Sequence, residues 1–346
     1  MRSSHIKRFA AAVCAAAAAL SSMSACSFGG NVETAGKESS DEPKKLSVVT
    51  TIFPQYDFTK QLAGNLADVT MLIGPGEEAH TYEPTPQDII KIQNADIFIY
   101  AGGESESWVN GILGSFDSSG MEIIDMMTLC DTVEEEIVEG MEGYDSEHDE
   151  NDYEGNEEDN SPKETTDPDE AEFDEHVWTS VDNAQIISQA ISDALCKVDE
   201  DNSAVYRENC EKYLSELSSL KKEIAQTVNG GVRKTIVFGD RFPARYFTDE
   251  FGLDYYAAFA GCAEQSEPSA GTVAFLIDKV NQEDIPVVFY IELSNGKVAD
   301  TIAESTNAKT MCFNSCHNIS MEQYLKGVTY VELMRQNCEA LKEALY

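Results

Sequence analysis

Histidine is scarce in this chain, and its placement carries the first chemical signal. Five occur in 346 residues: His5, His80, His148, His176 and His317. His5 lies in the N-terminal basic and apolar stretch, and His148 inside a run of acidic residues. The other three stand in three separate regions, each next to a stretch that reads as a strand end or a helix start. His80 falls within GPGEEAHTYEP, His176 within DEHVW and His317 within SCHN. Neutral imidazole is the commonest transition-metal ligand in proteins, so three such side chains meeting in one cleft would hold a divalent ion. Singly, each is more often a surface or hydrogen-bonded residue than a ligand.

Other chemistries find less support. A zinc hydrolase built on the same histidines would leave an open position for water, but neither H-E-x-x-H nor G-x-S-x-G occurs. The nine cysteines contain no C-x-x-C pair, so a zinc ribbon or thioredoxin-type site lacks its motif. Setting aside Cys14 and Cys26 leaves seven, an odd number that requires at least one free thiol. A surface adhesin is neither supported nor opposed. Net charge is −39, with no basic stripe, and this excludes nucleic acid as a partner.

The elements that must position the histidines follow from hydrophobic patterning. Short apolar runs (SVVTTI, DVTMLI, DIFIYAG) alternate with helix-period segments from Leu46 onward, and the same grammar resumes at Thr235. That alternation predicts α/β architecture: two similar lobes, each a parallel-sheet α/β sandwich, joined by a long rigid helix with the ligand cleft between them. The joining helix is read from Tyr206, Cys210, Tyr213, Leu214, Leu217, Leu220 and Ile224, which recur at the spacing of one helix face. Strands Thr235–Phe238, Tyr255–Phe259, Pro286–Ile291 and Lys309–Phe313 are expected in the second lobe, closed by one helix over Met321–Leu345. The boundaries are 46–200 for the first lobe, 201–230 for the helix and 231–346 for the second lobe. Ligands in such sheets bind at the C-terminal strand ends.

Two segments stand outside this frame. Arg2, Lys7 and Arg8, the apolar run Phe9–Leu20 and the small residues before Cys26 form an export signal over 1–25. Met23-Ser24-Ala25-Cys26 resembles a bacterial lipobox, which makes Cys26 the expected lipid-attachment site and 26–45 a flexible tether. The chain is then extracytoplasmic and held to the cell membrane by its N-terminal lipid. The second segment, 131–175, holds 22 acidic residues and one lysine. With few apolar residues to offset its ordering entropy, it reads as a disordered loop inserted in the first lobe. Removing 134–169 would then leave the folded core intact.

VVTTIFP at 48–54 together with GPGEEAHTYEPTPQDI at 74–89 resembles the zinc and manganese class of metal-specific substrate-binding proteins of bacterial ABC transporters. HVW at 176–178 and RFPARYFTDEFGL at 241–253 extend the likeness over nearly the whole mature chain. The resemblance implies a monomeric metal receptor, not an enzyme, that captures one ion between its lobes and delivers it to an ABC permease. It places the first two ligands at His80 and His176. The family's third position falls on Arg241, which has no lone pair to offer, and its fourth on Asn314. His317, three residues beyond Asn314, is therefore expected to replace a lost ligand, with Glu292 or Asp240 as candidates for the fourth. Arg241, Asn314 and Trp178 are expected beside the ion, Arg241 neutralised by Asp240 or Glu292. Imidazole donors and the loss of carboxylate positions favour Zn²⁺ over Mn²⁺; a manganese or iron receptor of the same class is the alternative. The acidic segment is a candidate cation-gathering device.

Overall fold

The computed structural model describes residues 45–142, 172–263 and 267–346. The expected export signal, Cys26 and all but the last residue of the tether lie outside the described residues, as does 143–171 of the acidic segment.

Four parallel strands, β1 (Leu46–Thr50), β2 (Ala67–Met71), β3 (Ile97–Tyr100) and β4 (Glu122–Asp125), form the first sheet in the order β2-β1-β3-β4. Four more, β5 (Thr235–Phe242), β6 (Asp254–Ala260), β7 (Val287–Ile291) and β8 (Lys309–Phe313), form the second in the equivalent order β6-β5-β7-β8. Consecutive residues are buried in the central strands, Val48 and Val49 in β1 and Ile236, Val237 and Phe238 in β5, because both faces of each sheet are covered. In each sheet the chain passes to one side of the central strand and then to the other. That reversal opens a crevice beyond the C-terminal strand ends. His80 follows β2 and His317 follows β8, so both leave their sheets at those ends.

The joining helix α5 (Ser203–Gly230) buries Tyr206, Cys210, Tyr213, Leu217, Leu220 and Ile224, the face read from the sequence. Its 28 residues span about 42 Å. It packs against α1 (Phe53–Ala63) and α4 (Val181–Val198) of the first lobe and α10 (Tyr330–Leu345) of the second. One hydrophobic core runs through both lobes, from Val48 and Ile97 to Phe238, Phe289 and Phe313. Such a shared core braces the lobes as one body.

Several elements depart from the sequence reading. The expected closing helix is two: α9 (Met321–Lys326) stops at Gly327, whose φ of 69° is a left-handed C-cap, and α10 restarts behind a Thr329–Glu332 capping box. Strand β5 runs four residues beyond Phe238 through a register shift, which places Asp240 and Arg241 on the strand. The edge strand β4 and the helix α3 (Trp108–Leu113) were not anticipated. Only two apolar residues, Ile123 and Ile124, mark β4.

The acidic segment is anchored where it is described, contrary to a loop without apolar anchors. Its two stems pair: Glu135 N–H donates to the Glu172 carbonyl (2.8 Å) and Asp174 N–H to the Val133 carbonyl (2.9 Å). Met141 is only 3% exposed. Glu142 N–H donates to the Ala258 carbonyl at 3.1 Å. The Glu142 carboxylate accepts from the Thr272 hydroxyl at 2.6 Å, near the start of α7 (Ala270–Gln282). Glu136 pairs with Arg245 and Glu139 with Lys279. The few apolar residues and the abundant charge are thus both used, and residues 131–142 strap the first lobe to the second.

Cys130, Cys196, Cys210, Cys262, Cys312, Cys316 and Cys338 are all unpaired thiols. Among the described residues no helix is long and apolar enough to cross a membrane.

Candidate metal centre

The loop carrying His80 is fixed by its own carboxylate. Gly74 N–H donates to Glu77 Oε2 (2.7 Å) and Glu77 N–H to the Gly74 carbonyl (3.1 Å), which closes a turn after β2. Asn318 then donates its side-chain amide to the carbonyls of Gly74 (3.0 Å) and Glu77 (2.7 Å). This ties the His80 loop to the residue after His317. Behind it, Thr85 caps α2 (Pro86–Gln93) in a box with Asp88.

His176 caps a short 3-10 turn, Val177–Thr179, and is 1% exposed. Both its backbone N–H (2.8 Å) and its ring Nδ1 (3.0 Å) meet Oδ1 of Asp174. Asp174 is held in turn by the Tyr246 hydroxyl, which donates to its carbonyl at 2.6 Å. With Nδ1–H directed at a carboxylate, the neutral ring carries its lone pair on Nε2, which is buried and has no hydrogen-bond partner. Gly261 makes room for this ring, since a Cβ there would come within 3.2 Å of His176 Cε1.

His317 follows Cys316, a non-glycine residue held at φ 60°. That strained step turns the chain so that Glu292 can gather it. Glu292 accepts from Ser315 N–H (2.6 Å), Ser315 Oγ–H (2.5 Å) and His317 N–H (3.1 Å). The His317 carbonyl accepts from Phe53 N–H at the start of α1 (3.4 Å).

The three imidazoles converge. One ring nitrogen from each of His80, His176 and His317 lies within 4.8 Å of the others. Ring centroids are 5.0 Å apart for His80–His317, 5.5 Å for His176–His317 and 5.8 Å for His80–His176. A tetrahedral zinc with nitrogens at 2.0–2.1 Å asks for about 3.4 Å between them, a contraction that side-chain rotation supplies. Burial, His176 and the Arg241 cation push the His80 pKa down to about 4. Burial, His80 and His176 drive that of His317 well below its ordinary value. For His176 burial acts downward too, but the Asp174 carboxylate outweighs it and the net shift is upward. His80 and His317 are therefore neutral donors at pH 7, while His176 must shed the Nε2 proton of its imidazolium to offer a lone pair, and keeps the other proton on the nitrogen that faces Asp174.

The other expected site residues lie around this centre, with roles that differ from those read in the sequence. Trp178 stacks at an angle against His176 (5.3 Å) and His317 (5.0 Å), and its Nε1–H donates to the Ser315 carbonyl (2.9 Å). Asn314 faces away, paired with Asn337 of α10 through bonds of 2.7 to 3.1 Å. Asp240 accepts from Arg241 N–H (2.9 Å) and Ile291 N–H (3.3 Å), and among the described residues it is not in the converging cluster. Glu292 likewise spends its oxygens on the loop that carries His317. The neutralising partner of Arg241 is neither of these: Arg241 Nη2 lies 3.2 Å from Glu78 Oε2. Asp174, Glu78 and Asn318 were missed as participants. A carboxylate two residues before each of two candidate histidines was the available signal.

The centre lies in a cavity of roughly 40 Å³ whose lining includes Glu78, Arg241 and Glu292. His80 also lines a wider cavity of roughly 550 Å³, together with Glu104, Glu135, Glu142, Glu172 and Glu175. Both stems of the acidic segment thus stand at one side of the histidine cluster.

With this geometry in view, comparison with known proteins is specific. Residues 48–344 match the family described as zinc-uptake complex component A, periplasmic. The high-affinity zinc uptake system protein ZnuA of Bacillus subtilis is 33% identical over 321 residues, covering 91% of this chain and 92% of that protein. The zinc-binding lipoprotein AdcA of Streptococcus pneumoniae is 31% identical over 86% of this chain, but only 56% of its own length is covered. The crystal structure of the Zn(II)-bound ZnuA-like domain of that AdcA superposes with a TM-score of 0.67 at 28% identity, covering 87% of this chain and 99% of that one.

Proposed function

This chain belongs to the zinc-uptake complex component A family, and from that premise we propose that it captures Zn²⁺ outside the cytoplasm with His80, His176 and His317 and hands it to an ABC permease. One observation carries the ligand set: a buried, unpartnered Nε2 on His176, with Asp174 on its other nitrogen and two neutral imidazoles within reach. A carboxylate behind a ligating histidine fixes its tautomer and raises its basicity. Three nitrogen donors suit zinc, whereas manganese asks for more carboxylate oxygens. Solute binding, not catalysis, is the family's activity.

Anchoring through a lipid on Cys26, with 26–45 as tether, accounts for the N-terminal sequence. The glutamates around the wider cavity serve as an electrostatic funnel, because clustered charge of one sign raises the local concentration of its counter-ion. Calorimetric zinc titration of the protein and of His80→Ala and His176→Ala tests the core of this reading. Both variants should lose zinc affinity by orders of magnitude; retained affinity in either would refute the ligand set.

A further inference from the structure

We propose that Glu78 is an exchangeable fourth ligand, shared between Arg241 across the cleft and the ion held by the three imidazoles. The inference rests on the zinc-receptor reading above. Three glutamates line the small cavity: Glu77, Glu78 and Glu292. Glu77 closes the turn at Gly74, and Glu292 gathers Ser315 and the His317 backbone. Turning either toward an ion would undo the loop that delivers a histidine. Glu78 has no such duty. Its Oε2 meets Arg241 Nη2 at 3.2 Å, its Oε1 lies 3.4 Å from His80 N–H, and its side chain is about half exposed. A side-chain rotation is all it needs to leave Arg241.

Charge gives the reason to rotate. Three neutral imidazoles leave one corner of a zinc tetrahedron open and do nothing to offset the ion's two charges. Arg241 lines the same cavity and adds a further positive charge. A carboxylate that moves onto the ion fills the open corner and lowers the local charge at once. It also sits two residues from His80, so the two form a chelate from one loop. The exchange has a mechanical side, because Glu78 belongs to the first lobe and Arg241 to β5 of the second. Capture therefore trades an interlobe ion pair for a metal bond. In release, Arg241 competes for the same carboxylate and weakens the ion's hold.

Zinc competition against a chromophoric chelator, on the full-length chain and on Glu78→Gln, Arg241→Gln and the double variant, tests this. Glu78→Gln should weaken zinc by at least about tenfold, the lower end of what outer-shell partners cost. It should do so again in the Arg241→Gln background, while Arg241→Gln alone tightens binding. If Glu78→Gln has no effect once Arg241 is gone, Glu78 acts only by neutralising the guanidinium and the proposal is overturned. The electronic spectrum of the Co²⁺-loaded protein gives a second readout, and an identical spectrum for Glu78→Gln would equally overturn it. His80→Ala runs alongside: zinc affinity unchanged in that variant would sink the receptor reading itself, a distinct result.

Discussion

Asp174 Oδ1 contacts both the backbone nitrogen and ring Nδ1 of His176, at 2.8 and 3.0 Å, in a region where both side chains are almost fully buried. One carboxylate thus fixes the position, the tautomer and the orientation of one imidazole. Asp174→Asn keeps the shape and removes the charge. Its zinc affinity should fall by about 10–100-fold, the usual cost of altering a carboxylate behind a metal-bound histidine. Competition titration checks this, and an unchanged constant would mean that the carboxylate orients nothing the ion uses.

His317 is the member of the cluster that sequence comparison with the family supplies least directly, so its variant is the most informative of the three. His317→Ala should cost more zinc affinity than Asp174→Asn, beyond about 100-fold, because it removes a donor and not a partner of a donor. Its backbone N–H still donates to Glu292, so the loop keeps its anchor and the thermal transition should stay near that of the parent. A fall in melting temperature with intact zinc binding would reverse the roles assigned here.

Zinc affinity should depend on pH as though one proton, not three, were displaced. Burial and the neighbouring groups hold the His80 pKa down at about 4 and that of His317 well below its ordinary value, so both resist taking up a second proton as pH falls. His176 is shifted upward, so it is the ring that takes up a second proton, on Nε2, as pH falls. A ligand that must lose one proton makes affinity fall about tenfold per pH unit once pH drops below its pKa. The logarithm of the association constant should therefore rise with pH at a slope near one from pH 5 to 6.5 and flatten above the His176 pKa. A slope near three would indicate ordinary, exposed imidazoles.

The same groups show what the sequence could and could not convey. Lobe architecture was legible because short apolar runs alternate with helix-period segments in both halves of the chain, and the helix face through Tyr206 and Ile224 repeats at 3.6 residues. Histidine, being rare here, made the cluster members conspicuous. Their partners were not, since Asp174 and Glu78 sit in stretches where acidic residues are ordinary. The link between Arg241 and Glu78 spans 163 positions and depends on how far β5 runs past its register shift. Periodicity is blind to such a shift. Composition misled at 131–142, where one buried methionine decides the matter and average polarity conceals it.

That methionine makes a stability prediction. Met141 lies in the main core at 3% exposure and is the apolar anchor of the strap. Met141→Ala should destabilise the protein by about 2–4 kcal/mol, the usual cost of emptying a buried site of this size. Glu139→Gln, which loses only the exposed pair with Lys279, should cost less than about 1 kcal/mol. Chemical denaturation of both variants distinguishes anchoring by packing from anchoring by charge, and removal of 134–169 should be at least as costly as Met141→Ala.

Capture rate, as opposed to affinity, should respond to the glutamates of the wider cavity. Glu104 and Glu172 are exposed, line that cavity with His80 and lie outside the converging histidine cluster. Replacing both with glutamine leaves the donor set untouched but removes two negative charges from the approach. Charges of this kind act over about a Debye length, near 10 Å at 0.1 M salt and 3 Å at 1 M. Stopped-flow mixing with zinc at low ionic strength should show association slowed several-fold in the double variant, with dissociation little altered. At 1 M salt the two proteins should converge, because the field that separates them is screened. If the difference persists at high salt, the glutamates shape the entrance sterically or take part in binding, and long-range steering is the wrong account of their role.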